Sequence, residues 1–333
     1  MTGPRPSTPP DPREAAAAFR LGEVTGAVVL SKRGEMGRIW RLPTTTGVWA
    51  LKEVFAPGPT GAADAMRDAA FQELALGGGI PMPRPIAAGD GRILAEVGPL
   101  ADRRSVRIYT WVDLRDRDAV PALTDVAAIL GRLHALAPVD DRSIHPWYRE
   151  PPDVSVWPDL VRRALATGAP WARALETIVP ILIETVAAAG QPAPDRGSLV
   201  TCHLDYNPEN VLVDLAGEVC VVDWENSGSA VVEQELASGL AEFVRDPAAT
   251  ASFLAAYRDG GGPARLSDLG AFAMTFVVQA NLIATYARRA LEAPDPDDAR
   301  RAAFWVEDIA ANAFTLQRAE EWLAAGRAAG LAG

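Results

Sequence analysis

The hydrophobic pattern of the chain changes character near Asp113. Short apolar runs separated by glycines and polar turns precede this point, and such runs favour strands. After it, most segments are rich in Ala and Leu, which are strong helix formers. This order predicts an α+β fold, with a small antiparallel β-sheet lobe that carries one helix over residues 20–112 and a larger, mainly helical lobe over residues 113–333.

Five strands are expected in the first lobe. Residues 25–55 predict three of them, joined by turns at Gly34 to Gly37 and at Thr44 to Gly47. The segments RILAEVG and SVRIYTWVD predict the other two. Residues 61–76 contain good helix formers and end at a run of three glycines, so they predict the single helix of this lobe.

The charge and cysteine content exclude several classes of protein. The 333 residues include 32 Lys and Arg against 43 Asp and Glu, which gives a formal net charge of −11. Such a surface would repel phosphate backbones, so no nucleic-acid partner is expected. Cys202 and Cys220 are too few for a disulfide framework and lack the spacing of a zinc site.

The chain shows neither a secretory signal nor a clear membrane span. Residues 1–19, which begin MTGPRPSTPPDPRE, lack an apolar core and predict a disordered, proline-rich tail. The most apolar long stretch, residues 269–287, contains Gln279 and Asn281, and a buried helix explains it better than a membrane span. We therefore expect a cytoplasmic protein without a membrane partner.

The octapeptide HLDYNPEN, residues 203–210, concentrates polar side chains between two apolar runs. Asp205 and Asn210 are five residues apart, on a loop that Pro208 keeps from forming regular helix. Asp223 follows thirteen residues after Asn210, and a hairpin would return it to the same place. Phosphoryl transfer needs carboxylate or amide ligands for Mg²⁺ and a carboxylate beside the attacking hydroxyl, so this pattern indicates that chemistry.

Lys52 is the candidate for the positive partner of the phosphates. It lies inside the predicted strand VWALKEV, where an ammonium group is otherwise hard to explain. Glu73, on the following helix, would pair with Lys52 and hold it in position. Each residue alone has an ordinary explanation, such as turn chemistry for Asp205 or a gatekeeper role for Lys52, but their joint order favours a nucleotide site.

HLDYNPEN followed by VVDWE, with ALKE and FQELAL upstream, resembles the aminoglycoside phosphotransferase family of small-molecule kinases. The resemblance covers roughly residues 20–245 and includes the segments LGRLHAL and IPMPRPI. It implies a bilobal, protein-kinase-like fold. It also implies transfer of the γ-phosphoryl group of ATP or GTP to a hydroxyl of a small molecule, with Mg²⁺ as cofactor.

The resemblance further implies a role for each matching residue. Asp205 would be the catalytic base, and Asn210 and Asp223 would hold Mg²⁺. Lys52 would contact the α- and β-phosphates of the nucleotide, braced by Glu73. The remaining nucleotide contacts would be Ser31, Gly34 and Gly37 in the turn over the phosphates and the backbone of Thr110, Trp111 and Val112 at the adenine.

Two departures from the family pattern bear on these roles. The phosphate loop SKRGEMG has fewer glycines than that of protein kinases, which leaves the choice between ATP and GTP open. Glu235 stands twelve residues after Asp223, where the family usually has Asp. We therefore expect the support beneath the metal loop to be built differently, with His203 as a structural residue of the catalytic loop.

The acceptor is predicted only as a class. Glu225, Glu307 and Asp308 are candidate contacts for an amine-bearing acceptor such as an aminoglycoside or related antibiotic, and a solvated acidic surface is the alternative. The second interpretation is a metabolic kinase that acts on choline, homoserine or a sugar. Outside enzymes, the alternative is a nucleotide-binding pseudokinase that serves as a binding module.

Overall fold

Strands concentrate in the first third of the chain and helices in the remainder, which confirms the α+β prediction. The computed structural model describes residues 8–34, 37–55, 61–116, 118–190 and 199–331. The strands in these ranges are β1 (Val29–Arg33), β2 (Gly37–Thr44), β3 (Gly47–Val54), β4 (Pro85–Ile86), β5 (Ala95–Val97), β6 (Arg104–Thr110), β7 (Val200–Cys202), β8 (Val211–Val213), β9 (Val219–Val221) and β10 (Gly228–Ala230). The helices are α1 (Pro12–Ala18), α2 (Gly61–Gly77), α3 (Leu123–Leu136), α4 (Pro146–Arg149), α5 (Val156–Thr167), α6 (Pro170–Ala189), α7 (Val232–Phe243), α8 (Thr250–Asp259), α9 (Ala273–Glu292), α10 (Pro296–Ala311) and α11 (Leu316–Ala328).

The chain packs as two compact units whose boundary differs from the one that the sequence predicts. The first unit comprises residues 1–121 and 208–227, and the second comprises residues 122–207 and 228–333. Hydrogen bonds explain why the hairpin of β8 and β9 belongs to the first unit. The amide of Arg115 donates to the carbonyl of Val213 at 2.8 Å, and the amide of Val221 donates to the carbonyl of Pro81 at 2.9 Å.

A six-stranded antiparallel sheet dominates the first unit. Its order is β1-β2-β3-β6-β4, and β5 also pairs with β6. The predicted turn at Thr44 to Gly47 closes the hairpin of β2 and β3. Leu42 of β2, Leu51 of β3 and Ile108 of β6 are fully buried in one apolar core.

The sheet has one strand more than expected, because the segment IPMPRPI contains a strand of only two residues. Pro85 and Ile86 form β4 at the edge of the sheet, opposite Tyr109 and Ile108 of β6. Proline has no amide to donate, so it is tolerated at a sheet edge but signals a loop when the sequence is considered alone.

The expectation of a disordered tail over residues 1–19 is wrong where α1 forms. The carboxylate of Asp11 caps this helix by accepting hydrogen bonds from two backbone amides at 3.0 Å. Ala16 and Phe19 are buried in the core of the first unit. The prolines that suggested disorder include one at the first helical position, where proline is favoured. Residues 1–7 lie outside the described part of the chain.

The second unit is built mainly from helices, with β7 and β10 as a short antiparallel pair. Helices α5, α6, α9 and α10 contribute to a common apolar core. Residues 269–292, which include α9, are long and apolar enough to cross a membrane by length and composition, and 67 % of their most apolar window is buried. A core helix passes the same test.

The short helix α4 lies in the segment that connects α3 to α5. Asn281 of α9 fastens this segment by donating from its amide nitrogen to the carbonyl of Trp147 at 2.8 Å and to that of Glu150 at 3.0 Å. The polar residue inside an otherwise apolar helix therefore satisfies backbone groups of the neighbouring loop.

Candidate functional site

Asn210 and Asp223 come together at one end of the hairpin formed by β8 and β9. Val211 pairs with Val221, and the amide of Val222 donates to the carbonyl of Asn210 at 2.8 Å. Asp223 is the next residue along the chain, at the point where the strand has ended. The structure thus forms the hairpin that the two apolar runs predict.

Two carboxylates hold Lys52 in the first unit. The ammonium of Lys52 donates to Oδ1 of Asp223 at 2.7 Å and to Oε2 of Glu225 at 2.6 Å. Asp223 has a left-handed backbone with φ of 63°, a conformation that Asp tolerates better than most residues. This turn of the backbone follows β9 directly and places Asp223 and Glu225 on the same ammonium group.

The pKa values of the two carboxyl groups move in opposite directions. Burial, opposed by Lys52 and reinforced by Glu225, raises the pKa of Asp223 to about 6. Burial also works against the ionised form of Glu225, but the charge of Lys52 and the hydrogen bond with Asp223 outweigh it and lower the pKa of Glu225. Burial likewise opposes the charge of Lys52, whose pKa the two carboxylates nevertheless raise.

The residues at the end of the hairpin fit a hard divalent cation. Asn210 would offer an amide oxygen and Asp223 a carboxylate oxygen, the ligand types that Mg²⁺ prefers. The side chain of Asp223 is 38 % exposed, so it can bind an ion while its other oxygen stays with Lys52. Asn210 is buried and its backbone is fixed by Val222, which gives the pair a rigid base.

The predicted pairing of Lys52 with Glu73 is wrong in this structure. Glu73 lies at the surface and forms an ion pair with Arg84 at 2.6 Å. The acid of α2 that is buried beneath the sheet is Asp68, which accepts a hydrogen bond from Arg107 at 3.0 Å. Glu73 and Asp68 both lie on α2, and only packing decides which face of a helix meets the sheet. The sequence alone therefore does not show which of the two acids is buried.

The predicted adenine-binding segment follows β6. The amide of Thr110 donates to the carbonyl of Arg84 at 2.9 Å, and the amide of Trp111 donates to the carbonyl of Val48 at 3.4 Å. Among the described residues, none forms a hydrogen bond with the backbone of Val112. The amide and carbonyl of Val112 are therefore open to a ligand within the described part of the chain, and adenine binding by Thr110, Trp111 and Val112 stays a prediction.

The predicted phosphate turn connects β1 and β2. The amide of Gly34 donates to the carbonyl of Gly37 at 2.9 Å, and Ser31 is an exposed residue of β1. Residues 35 and 36 of this turn lie outside the described part of the chain. Gly37 is constrained by its neighbour, because a Cβ at this position would lie 2.2 Å from the carbonyl oxygen of Glu53.

We expect Gly37→Ala to destabilise the protein by about 1–3 kcal/mol, since the new methyl group must displace the backbone of β3. Nucleotide affinity is expected to fall as well, because the same residue ends the phosphate turn. Gly34→Ala is the matched control, since its Cβ would be 3.9 Å from the nearest atom. Urea denaturation of both variants measures the two free energies of unfolding. Equal values would contradict the close approach of Gly37 to the backbone of β3.

Asp205 lies on a strained loop of the second unit. Leu204, the preceding residue, has φ of 62°, which is unusual for a bulky side chain. The amide of Asp205 donates to Nδ1 of His203 at 3.3 Å, and the side-chain amide of Asn207 donates to Oδ1 of Asp205 at 2.7 Å. The first bond fixes the backbone at Asp205, and the second orients its carboxylate.

Glu235 of α7 holds the strained loop from below. One carboxylate oxygen accepts a hydrogen bond from the amide of Leu204 at 2.5 Å, and the other lies 2.8 Å from Nε2 of His134. Nδ1 of His134 is in turn 2.8 Å from the hydroxyl of Tyr257. Burial works against the charge of Glu235, but His134 and the Leu204 amide outweigh it and lower its pKa. This network is the altered support that Glu235 predicted, and it includes His134 of α3.

The same cluster contains Cys202, whose sulfur lies with ligand atoms of His134 and Glu235 within 4.8 Å of one another. Burial, together with the charge of Glu235, raises the pKa of this thiol. The hydrogen bonds of Glu235 to the Leu204 amide and to His134 give the cluster its role as a support for the loop.

We expect Glu235→Ala to destabilise the protein by about 3 kcal/mol, because the Leu204 amide and His134 would lose a buried partner. Glu184→Gln, at an exposed position of α6, is the control and should leave stability unchanged. The pKa of Glu235 is lowered from 4.5, so its contribution is present above pH 4.5 and is lost as pH falls through the folded-state pKa. Denaturant titrations at pH 7 and pH 4 should show the wild-type advantage shrinking, and a pH-independent difference would contradict this.

Tyr148 and Glu242 are polar neighbours of Asp205 that the sequence did not identify as such. Burial, followed by the charges of Asp205 and Glu235, raises the pKa of Tyr148. Burial and the charge of Asp205 also raise the pKa of Glu242, against the effect of Arg245. No local sequence signal links these residues, since they come from α4 and α7.

Glu307 and Asp308 lie near the C-terminal end of α10. Glu307 is exposed, and the carboxylate of Asp308 accepts a hydrogen bond from the side chain of Asn312 at 3.1 Å. Glu225, the third predicted substrate acid, belongs to the first unit and binds Lys52. A substrate role for Glu307 and Asp308 stays a prediction.

Comparison with known sequences gives one family. The model described as "Phosphotransferase enzyme family" matches residues 32–270. This range contains Lys52, Asp205, Asn210 and Asp223. Among curated proteins, none matches the chain significantly.

Solved structures share the fold at low sequence identity. Spectinomycin phosphotransferase APH(9)-Ia, in complex with ADP and spectinomycin, aligns over 92 % of this chain and 94 % of its own, with a TM-score of 0.63 and 13 % identity. Amicoumacin kinase hAmiN, in complex with AMP-PNP, Ca²⁺ and Ami, aligns over 90 % and 92 %, with a TM-score of 0.56 and 14 % identity. The microcompartment-associated aminopropanol kinase aligns over 95 % and 98 %, with a TM-score of 0.56 and 19 % identity. The chain therefore has the fold of these kinases.

Proposed function

Because the chain belongs to the phosphotransferase enzyme family, we propose that it transfers the γ-phosphoryl group of ATP or GTP to a hydroxyl of a small, amine-bearing acceptor. One observation carries the proposal most directly. A buried ammonium, that of Lys52, lies 2.7 Å from the carboxylate of Asp223, which shares one hairpin end with Asn210. A cation for phosphates and oxygen ligands for a metal are the parts that phosphoryl transfer requires.

In this proposal the first unit binds the nucleotide. Lys52 contacts the phosphates, and the backbone of Val112 receives the base. Asn210 and Asp223 hold Mg²⁺, which supplies charge neutralisation at the phosphates when bound. The amicoumacin kinase structure with AMP-PNP and Ca²⁺ supports a divalent cation with a nucleoside triphosphate.

Asp205 orients the acceptor hydroxyl. The hydroxyl oxygen forms a bond to the γ-phosphorus, the bond from that phosphorus to the oxygen of the β-phosphate breaks, and the nucleoside diphosphate leaves. The hydroxyl proton passes to the carboxylate of Asp205. Because the transition state of such transfers is loose, Asp205 must be held in position beside the hydroxyl whose proton it receives, and its hydrogen bonds with His203 and Asn207 serve that position.

The preference for an amine-bearing acceptor rests on charge. Asp205 and Glu242 are acidic neighbours in the second unit, with the Tyr148 hydroxyl near Asp205. Such a group of acids attracts a cationic substrate. Spectinomycin phosphotransferase and aminopropanol kinase, which share the fold, support this class by the substrates in their names. If an aminoglycoside is the acceptor, the enzyme would confer antibiotic resistance.

An acceptor screen tests the proposal. The protein is incubated with Mg²⁺ and either ATP or GTP, together with aminoglycosides, spectinomycin, amino alcohols, choline, homoserine or sugars, and each acceptor is examined for the mass of one added phosphoryl group. We expect an amine-bearing compound to be phosphorylated. Phosphorylation of a sugar alone would favour the metabolic alternative. Metal-dependent nucleotide binding without any product or diphosphate release would favour the pseudokinase.

A further inference from the structure

We propose that Glu225 is the residue that positions Lys52, and that Tyr109 and Arg107 in turn hold Glu225. The inference rests on the proposed function in that Lys52 is taken to bind the nucleotide. Glu225, two positions after Asp223, thus takes the place expected for Glu73 as the partner of Lys52. Glu225 is then no longer a candidate contact for the acceptor.

Both carboxylate oxygens of Glu225 have defined partners. Oε2 accepts a hydrogen bond from Lys52 at 2.6 Å, and Oε1 accepts one from the hydroxyl of Tyr109 at 2.8 Å. The side chain of Glu225 is only 16 % exposed. A carboxylate that is bound at both oxygens and screened from water keeps one orientation, and it therefore fixes the ammonium that it binds.

The backbone that carries Glu225 is also anchored. Trp224, the preceding residue, is buried and donates from its indole nitrogen to the carbonyl of Val221 at 3.1 Å. Its ring packs edge-on against Phe71 of α2, with 5.6 Å between the ring centroids. The short turn after Asp223 is thus fastened both to β9 and to α2.

The register of the sheet explains why acids are needed at this point. Lys52 of β3 lies directly opposite Arg107 of β6, so two buried cations share one face of the sheet. Like charges in such a pair destabilise a sheet unless acids neutralise them. Glu225 lies against Lys52, and Asp68 against Arg107 at 3.0 Å, while Arg107 is also 3.8 Å from Glu225.

These contacts link α2 to Lys52 without Glu73. The connection runs from Asp68 on α2 to Arg107, then to Glu225 and to Lys52. Glu73 is bound to Arg84 at the surface and contributes nothing to it. When the carboxylate of Asp223 binds another partner, Lys52 still has the carboxylate of Glu225. Glu225 therefore has a role that Asp223 alone does not fill.

The lysine content of the chain permits a direct test without substrate. Lys32 and Lys52 are its only lysines. The nucleotide-free protein is acylated with an amine-specific reagent, and peptide mass spectrometry measures how far each lysine has reacted. Lys32 serves as the internal reference, so the result is the ratio of the reactivity of Lys52 to that of Lys32. We expect Glu225→Gln to raise this ratio about tenfold, because loss of one of the two carboxylates that bind the ammonium of Lys52 frees this side chain to react.

Glu73→Gln is the matched control, since it removes a carboxylate from α2 that does not touch Lys52. The ratio should stay at its wild-type value in this variant. Tyr109→Phe deletes only the hydroxyl that holds Glu225, and it should shift the ratio in the same direction by a smaller factor. It also keeps the test open if Glu225→Gln does not fold. An unchanged ratio in Glu225→Gln or Tyr109→Phe, or an increase in Glu73→Gln, would overturn the inference.

Kinetics separate a positioning role from a substrate contact. In Glu225→Gln we expect the KM for the nucleotide to rise and kcat to fall, each by about tenfold, with partial recovery in Glu225→Asp. A change confined to the KM of the acceptor would show that Glu225 binds substrate and would contradict the inference. Should the wild-type protein phosphorylate no acceptor, the proposed function fails, whereas the lysine reactivities still decide the role of Glu225.

Discussion

Replacing Asp205 with Asn is expected to lower kcat by about a thousandfold while nucleotide affinity stays near the wild-type value. Asn has nearly the same shape, but its amide cannot receive the proton of the acceptor hydroxyl. The residue lies in the second unit, away in sequence from Lys52 and the segment after β6, so the nucleotide contacts proposed for the first unit should persist. Turnover and calorimetric nucleotide titrations, measured on the same preparation, give both quantities.

Glu209→Gln provides the matched control for this experiment. Glu209 is an exposed carboxylate of the same loop, four residues after Asp205, and its replacement removes the same charge. We expect its kcat to stay within about twofold of the wild type, as for an ordinary surface substitution. Equal losses in the two variants would show that the loop responds to charge alone, and full activity of Asp205→Asn would refute its role as base.

Replacing Asp223 with Ala is expected to abolish the gain in nucleotide affinity that Mg²⁺ provides. We expect this gain to be about a hundredfold or more, because even residues that only hydrogen-bond to a metal ligand contribute about 10- to 100-fold to metal affinity. The variant also removes one of the two carboxylates on Lys52, but Glu225 keeps that ammonium in place. Because the pKa of Asp223 is about 6 and a metal binds the ionised carboxylate, the wild-type gain should decline as pH falls below 6.

Asp214→Asn is the control for Asp223. Asp214 lies at the other end of the same hairpin, where its side chain accepts a hydrogen bond from the amide of Glu218 at 2.9 Å. Asn preserves that acceptor, so the hairpin should stay intact and the Mg²⁺ effect unchanged. A Mg²⁺ effect that survives in Asp223→Ala would require another residue as the principal metal ligand.

The parts of the site that depend on local sequence pattern were predictable. The apolar runs on either side of residues 214–218 pair as a hairpin, and the fixed two-residue period of strands then brings Asn210 and Asp223 to one end. A functional role for Lys52 was predictable because a charged residue inside an apolar strand is otherwise hard to explain. The hairpin of β2 and β3 and the helix over residues 61–76 are predictable from turn residues and glycines, which act over short distances.

The parts that depend on tertiary packing were not predictable. Whether Glu73 or Asp68 faces the sheet depends on the rotation of α2, and neighbours that are distant in sequence fix that rotation. The partnership of Lys52 with Glu225 joins residues 173 positions apart. Helix α1 was missed because its stability comes from burial of Ala16 and Phe19 in the sheet core, which proline-rich composition does not show.

The central claim, that this chain uses a nucleoside triphosphate with a divalent metal, is tested most directly by calorimetric titration of ATP and GTP in the presence and absence of Mg²⁺. The account predicts that at least one nucleotide binds, that Mg²⁺ strengthens its binding, and that Asp223→Ala removes the strengthening. Absence of binding by both nucleotides under all these conditions would contradict the account and leave the family fold without the proposed activity.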